Sequence, residues 1–372
     1  MKPDRVSRRR FLKTSAGMAI GMTTIPFAAK AASSGGLHSF LSAHGIGPEP
    51  VVSVVKIRNG RTAAAVEEAI DLLGGMETVA KGKERIMVKP NLVAEGPAFT
   101  TKPDVVRALV RMMKRAGKDV SIGEGSAAAG GFNVVGEEVY RTKDREILDR
   151  MQQYVYDQLG YTDLAKSDHV PLLNLHTGDM VDVAIPDGLA FDSISLHHSL
   201  TEIDLLCSVP MMKTHELATV TLGMKNLIGL YPGQVYASVR GWVHDHARRA
   251  GSPGIAFETV DMVRANKLGL VVVDASSAME GQGPTEGRIV DMGLIIAGTN
   301  PLATDMVAAS LMGFRMREVP TFGWAQRVGM TPGTLDEIEV RGEKLESVRR
   351  RFRKPDIVSW DSICRSWGVK EL

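Results

Sequence analysis

Four short apolar runs each end in a charged or amide side chain, and this recurrence restricts the fold more than any other feature of the sequence. MVKPN closes one run with Lys89 and Asn91, and IGEG closes the next with Glu124. CSVPMMKTH closes a third with Lys213, Thr214 and His215, and VVVDAS closes a fourth with Asp274, followed by Glu280 in MEGQGP. Runs this short and this apolar are strand-length, and helical patterns lie between them. VVSVVKI at 51–57 reads as a strand, 62–73 as an Ala-rich helix, 84–90 as a strand ending at Pro90, 103–116 as a helix opened by Pro103, and 118–125 as a strand. Alternation of this kind predicts an α/β fold, a mostly parallel sheet with helices on both faces, built as one domain or as two intimately packed lobes.

Farther along, a helical, charged segment is expected over about 134–166, with short strands at 170–174 and 181–185. IDLLCSVP at 203–210 and LGLVVVDAS at 269–277 read as buried strands. A helix at 255–266, a strand at 292–298, a helix at 301–312 and a late edge strand at 335–342 follow. The α/β domain is therefore set at 51–342, with 343–372 a charged tail packing as helix and loop. Ligands of open α/β sheets bind beyond the carboxyl ends of the strands. If the four runs share a sheet, Lys89, Lys213, His215, Asp274 and Glu280 line one concave site.

The front of the chain carries a different message. Ser7 to Lys13 reads SRRRFLK, a twin-arginine export pattern, followed by a moderately apolar stretch from Ala16 to Ala29 and a small-x-small cleavage pattern at Ala29-Lys30-Ala31. We read 1–31 as a signal peptide recognised by the twin-arginine translocase, either cleaved or kept as an anchor, and 32–50 as a Ser, Gly and Pro-rich linker. The expected location is the periplasm or another extracytoplasmic space. Seven Lys or Arg against one Asp give residues 1–31 a charge of +6, so the +2 of the whole chain leaves about −4 for the rest. A mildly acidic mature protein argues against a nucleic-acid partner. No later run is long and apolar enough for a transmembrane span.

Cys207 and Cys364 are the only cysteines, and no CxxC pair exists. Cysteine-ligated iron–sulfur clusters and thioredoxin chemistry are excluded, whereas a single disulfide is left open. The turn from Gly123 to Ala128 has the form G-x-G-x-x-A, but no acidic residue closes the following strand. It reads better as a backbone nest for an anion than as a dinucleotide fingerprint. His244 and His246 have the spacing of a strand-borne metal pair. Each candidate has a plainer alternative: Lys89 a surface lysine, Lys225-Asn226 exposed on a helix, Asp305 a carboxylate near its own helix's positive end.

In combination, VKPNL at 88–92, PMMKTHELATVTLGMKNLIGLYPG at 210–233, DASSAMEGQGPTEG at 274–287 and AGTNPLATDMVAASLMG at 297–313 resemble the family called domain of unknown function 362, over roughly residues 51–313. The family brings no assigned reaction. The resemblance implies Lys89, Asn91, Lys213, His215, Lys225, Asn226, Asp274, Glu280 and Asp305 as matching positions, with His244 or His246 as a histidine after the KN block. Some members are fused to ferredoxin-like iron–sulfur modules, and this chain departs there because it lacks the cysteine ligands.

Three lysines with histidines and carboxylates suit an anionic small molecule held by Lys, with a divalent cation or an acid/base pair nearby. The first expectation is an enzyme acting on an anionic metabolite. His215, Lys213 and Glu280 are its catalytic candidates, and Lys89, Asn91, Glu124, Lys225 and Asn226 its binding candidates. Asp274, Glu280, His244 and His246 are the candidates for a metal. The alternatives are a non-catalytic periplasmic binding protein for an anion or metal complex, and a buried ion-pair network with no ligand.

Overall fold

The computed structural model describes residues 49–371, with no account of the side chain of Glu371. The twin-arginine segment, its cleavage site and the linker up to residue 48 lie outside the described residues.

Eleven strands build the main sheet. In chain order they are β1 (Val51–Lys56), β2 (Arg85–Pro90), β3 (Asp119–Glu124), β4 (Leu172–Asn174), β5 (Leu205–Val209), β6 (Met211–His215), β7 (Thr219–Thr221), β8 (Leu268–Glu280), β9 (Arg288–Val290), β10 (Leu294–Gly298) and β11 (Glu339–Gly342). The main path runs β11-β1-β10-β8-β5-β2-β3-β4, with β6, β7 and β9 attached off it. β10 pairs antiparallel with both β1 and β8, and the remaining pairs along that path are parallel. The carboxyl ends of β2, β3, β5 and β8 therefore share one edge.

Successive side chains of a strand point to opposite faces, and the sequence fills both faces with apolar groups. Met87, Leu206, Val271, Val273 and Ile296 join one core. Their neighbours Ile86, Val88, Cys207, Val272 and Ile295 join the other. The second core is closed by α1 (Thr62–Asp71), α2 (Pro103–Arg115), α3 (Arg145–Gln158) and α4 (Tyr161–Asp168). α2 shows why such helices form: Pro103 sits in its first turn, where the missing N–H is no loss, and Lys114 and Arg115 sit at its negative end. Val105, Val106, Leu109, Val110 and Met113 make its buried face. On the first core lie α5 (Gly223–Asn226), α6 (Gly241–Arg249), α7 (Ala256–Arg264), α8 (Pro301–Leu311), α9 (Pro320–Arg327) and α10 (Trp360–Ser366). α8 is buried on nearly every side, as its apolar sequence requires, and the Asn300 side chain caps it through the Ala303 N–H at 3.0 Å.

The segment at 134–166 is not helical throughout. Val134–Val135 and Glu138–Arg141 form short strands in a small sheet with Lys370–Glu371, and α3 starts only at Arg145. Gly136 turns the chain at φ 61°, a left-handed value suited to glycine, and Asp144 caps α3 by accepting the Ile147 N–H at 3.0 Å. The strand at 181–185 belongs to a separate two-stranded sheet, Met180–Ala184 with Ser193–His197. Cys207 and Cys364 are both free thiols. Among the described residues no helix is long and apolar enough to cross a membrane.

Candidate functional site

Lys89 leaves β2 with no accessible surface, and Glu124 ends β3 almost as deeply buried. Parallel pairing of these strands brings the two together, with Lys89 Nζ 2.8 Å from Glu124 Oε2. Isolated, either charge would be prohibitive in this interior. Together they are further satisfied: Lys89 donates to the Asn226 Oδ1 at 3.2 Å and the Pro90 carbonyl at 3.1 Å, and Glu124 accepts from the backbone N–H groups of Leu92 and Gly125. Burial lowers the Lys89 pKa, and the Glu124 charge opposes that shift.

Asn226 ties this pair to a third strand. Its Nδ2 donates to Ser208 Oγ of β5 at 3.0 Å and to the Lys89 carbonyl at 3.2 Å, and its Oδ1 also accepts from Asn91 Nδ2 at 3.1 Å. Asn91 Oδ1 is then left buried without a hydrogen-bond partner among the described residues. An orphaned buried acceptor of this kind is rare. Gly229 makes the close approach possible, since a Cβ there would fall 2.3 Å from Glu124 Oε1 and 2.7 Å from Lys89 Nζ.

Beside this cluster is a cavity of about 90 Å³, lined by Lys89, Asn91, Glu124, His215, Lys225, Asn226, Arg240 and His244, with apolar walls that include Val239, Trp360, Ile363 and Trp367. It has room for several waters or one compact ligand. The Lys225 amine makes no hydrogen bond or ion pair among the described residues, although the residue is only partly accessible. Burial, then the charges of Lys89 and Arg240, push its ammonium down to about 7, against the pull of Glu124. His215 accepts the Leu217 N–H at Nδ1 over 3.1 Å, so its proton sits on Nε2, which has no partner among the described residues. Burial and the nearby Lys225, Lys213 and His244 hold its pKa well below the usual imidazole value, so the ring is neutral.

His244 is held differently. Its Nδ1 lies 3.2 Å from Glu258 Oε1, whose other oxygen accepts from Ser252 Oγ at 2.8 Å. A carboxylate on one ring nitrogen fixes the tautomer and leaves Nε2 as the second functional atom. Arg240 is buried, and its guanidinium donates to the backbone carbonyls of Gly125, Ser126, Ile228 and Gly229. Burial lowers its pKa to about 10, which leaves it cationic. Ala237, Val239 and Arg240 have φ of 60°, 58° and 59°, left-handed values that disfavour non-glycine residues, Val239 most of all. Backbone strain is thus concentrated in the segment that delivers Arg240.

The structure therefore gathers seven of the candidates: Lys89, Asn91, Glu124, His215, Lys225, Asn226 and His244. It does not bring Lys213, Asp274, Glu280 or His246 to the cavity wall. Lys213 is buried behind it, its Nζ on the Phe99 carbonyl at 2.6 Å. Asp274 accepts the Lys102 N–H at 2.8 Å and the Ser276 hydroxyl at 2.5 Å. β8 runs on past Asp274 as far as Glu280, which pairs instead with Arg288 and the Arg353 N–H. His244 and His246 lie on a helix rather than a strand, where residues two apart diverge. His246 is exposed, bonded to the Ala190 carbonyl at 2.7 Å and stacked on Phe191. Among the described residues no three His, Cys, Asp or Glu side chains are grouped to hold a metal ion. Asp305 does not serve its own helix end. It accepts the N–H groups of Gly223 and Met224 and so anchors α5. Arg240, Glu258 and the Trp360 and Trp367 walls were not foreseen.

Residues 86–310 match the sequence profile of the family described as Domain of unknown function (DUF362). The chain is 25% identical over 304 residues to the thylakoid-associated protein sll1697 of Synechocystis, covering 80% of this chain and 85% of that protein. Among solved structures it is similar to the lactate racemase apoprotein of Thermoanaerobacterium thermosaccharolyticum, with a TM-score of 0.41, 14% identity, and coverage of 71% of this chain and 57% of that one. It is also similar to a protein of Thermotoga maritima, with a TM-score of 0.37, 14% identity, and coverage of 71% and 59%. The chain thus spans less than two thirds of either solved structure.

Proposed function

This chain belongs to the family described as Domain of unknown function (DUF362), and from that premise we propose that it is an enzyme acting on an anionic small molecule by proton transfer. The observation that carries the reading is the charge left over in the cavity. Lys89 and Glu124 offset each other, whereas Arg240 donates only to carbonyls and the Lys225 amine has no hydrogen-bond or ion-pair partner among the described residues. An enclosed excess of positive charge attracts an anion strongly because the surroundings screen it poorly. His215 offers a neutral imidazole and His244 one backed by Glu258, both within the same walls, which suits general acid/base work. The shifted pKa values of His215 and Lys225 inside one cavity favour an enzyme over a bare ion-pair network. A non-catalytic binding protein would use the same cavity without needing either histidine.

The test is a thermal-shift panel of acetate, small dicarboxylates, 2-oxo acids and phosphate, run at about pH 6 and about pH 8. At least one anion raises Tm, more so at the lower pH where Lys225 is protonated, and Lys225→Met abolishes the response. A panel that leaves Tm unmoved contradicts the reading. Replacing His215 by Asn then separates enzyme from binding protein: an enzyme keeps the anion response and loses turnover.

Export is the second part of the proposal. The SRRRFLK motif supports delivery by the twin-arginine route to an extracytoplasmic space. Replacing Arg8 and Arg9 together by Lys leaves unprocessed precursor in the cytoplasm, and normal processing of that variant sinks this part.

A further inference from the structure

Lys225 does more, we infer, than attract an anion: its Nζ is a nucleophile that forms an imine with the carbonyl of a 2-oxo acid. The inference rests on the anion-binding reading above and names the substrate class. Nearby lysines are each held by a partner, Lys89 by Glu124 and Asn226, and Lys213 by the Phe99 carbonyl. Lys225 alone among these three reaches the cavity with no partner among the described residues. An amine left free in an enclosed pocket beside other cations is the arrangement that keeps part of it unprotonated at neutral pH. The groups around it are Lys89 and Glu124 at the ends of β2 and β3, Lys213 and His215 on β6, and Arg240. Glu216 also lines the cavity and Glu258 backs His244, but Glu124 is the carboxylate that opposes the shift, against the charges of Lys89 and Arg240, and the fall to about 7 agrees with that geometry.

The chemistry balances without a redox partner. The Nζ lone pair adds to the carbonyl carbon, and the C=O pair becomes a hydroxyl, taking up the proton lost from nitrogen. The hydroxyl then leaves as water with one further proton, giving a C=N bond whose nitrogen carries a positive charge. His244 suits the delivery of that proton, because Glu258 faces the charge while it rests on the ring. Solvent returns the proton to the imidazole. The iminium keeps a full charge in a buried place, so a carboxylate on the adjacent carbon stabilises it directly. That requirement, with the excess positive charge, selects a 2-oxo acid over a simple aldehyde. Asn91 Oδ1, the orphaned acceptor, is available to the departing hydroxyl.

The experiment incubates the full chain with pyruvate, adds sodium borohydride, and maps the adduct by peptide mass spectrometry, with Tm shifts measured in parallel for pyruvate, acetate and phosphate. The expected result is one saturable, pyruvate-derived adduct on Lys225, absent in Lys225→Arg and formed at least tenfold more slowly in His244→Asn. A Tm rise with pyruvate or acetate but no adduct overturns the imine and leaves the anion reading standing. No adduct and no Tm rise with any of the three overturns both. Adducts spread evenly over surface lysines, unchanged in Lys225→Arg, also overturn the imine.

Discussion

Asp305 of α8 reaches across to the first residue of α5 and holds the Gly223 N–H at 2.7 Å through Oδ1, while Oδ2 takes the Met224 N–H at 2.8 Å. The helix so anchored presents Lys225 and Asn226 to the cavity. A four-residue helix has no stability of its own, so its position depends on this carboxylate.

Replacing Asp305 by Ala removes both acceptors from a buried helix start. Stability measured by urea unfolding falls by about 1–3 kcal/mol, as for buried donors left unpaired. The anion response in thermal shift weakens with it, because Lys225 and Asn226 lose their fixed place. A variant as stable and as responsive as the wild type would show that α5 is positioned by packing alone.

The Lys89–Glu124 pair is a buried ion pair at 2.8 Å, and Asn226 and two backbone N–H groups complete it. Breaking it from one side, by Lys89→Met or Glu124→Gln, lowers stability by roughly 3–5 kcal/mol, because one charge or its hydrogen-bonding partners stay buried unmatched. The double variant Lys89→Met/Glu124→Gln recovers much of that loss. Additive losses in the double variant would mean the two groups are not coupled.

Strand ends were the part of this site that could be read from sequence. Lys89, Asn91 and Glu124 follow apolar runs, and parallel pairing of those runs places them on one edge. The same reasoning misplaced Asp274 and Glu280, because it assumed that β8 stops at the sheet edge. β8 continues to Glu280 alongside β6, and its late residues serve a hairpin with β9. His244 and His246 were read together from HxH spacing as a strand-borne pair, and either one by resemblance; the helix that carries them sends only His244 to the cavity. Arg240 gave no local signal: its role depends on carbonyls far along the chain, those of Gly125 and Ser126. Glu258 was hidden inside the apolar pattern of α7, visible only once His244 stands opposite it.

Lys225 fixes a pH dependence whose sign follows from its lowered pKa. Folded, the amine titrates at about 7, and unfolded at about 10.5. Between these values the unfolded chain binds more protons, so this group makes stability rise with pH across that window. Below about pH 7 the ammonium is carried in both states and its burial penalty is full. Lys225→Met removes the penalty and raises stability by about 1–3 kcal/mol at pH 6, less than full linkage because the residue is partly accessible to solvent. The advantage fades as pH approaches 10. Urea melts of both proteins from pH 6 to pH 10 measure it, and an advantage that is constant or grows with pH contradicts the assignment.

The amine of Lys225 stands free in a cavity with an excess of positive charge. Carbon-13 NMR of the reductively methylated protein reads each lysine amine against pH, with Lys225→Arg assigning the signal. The expected result is one amine titrating near pH 7, absent from that variant, and moving upward when acetate or phosphate is added because the bound anion favours the ammonium. A Lys225 signal that titrates near 10 with the surface lysines, and that no anion moves, would contradict it.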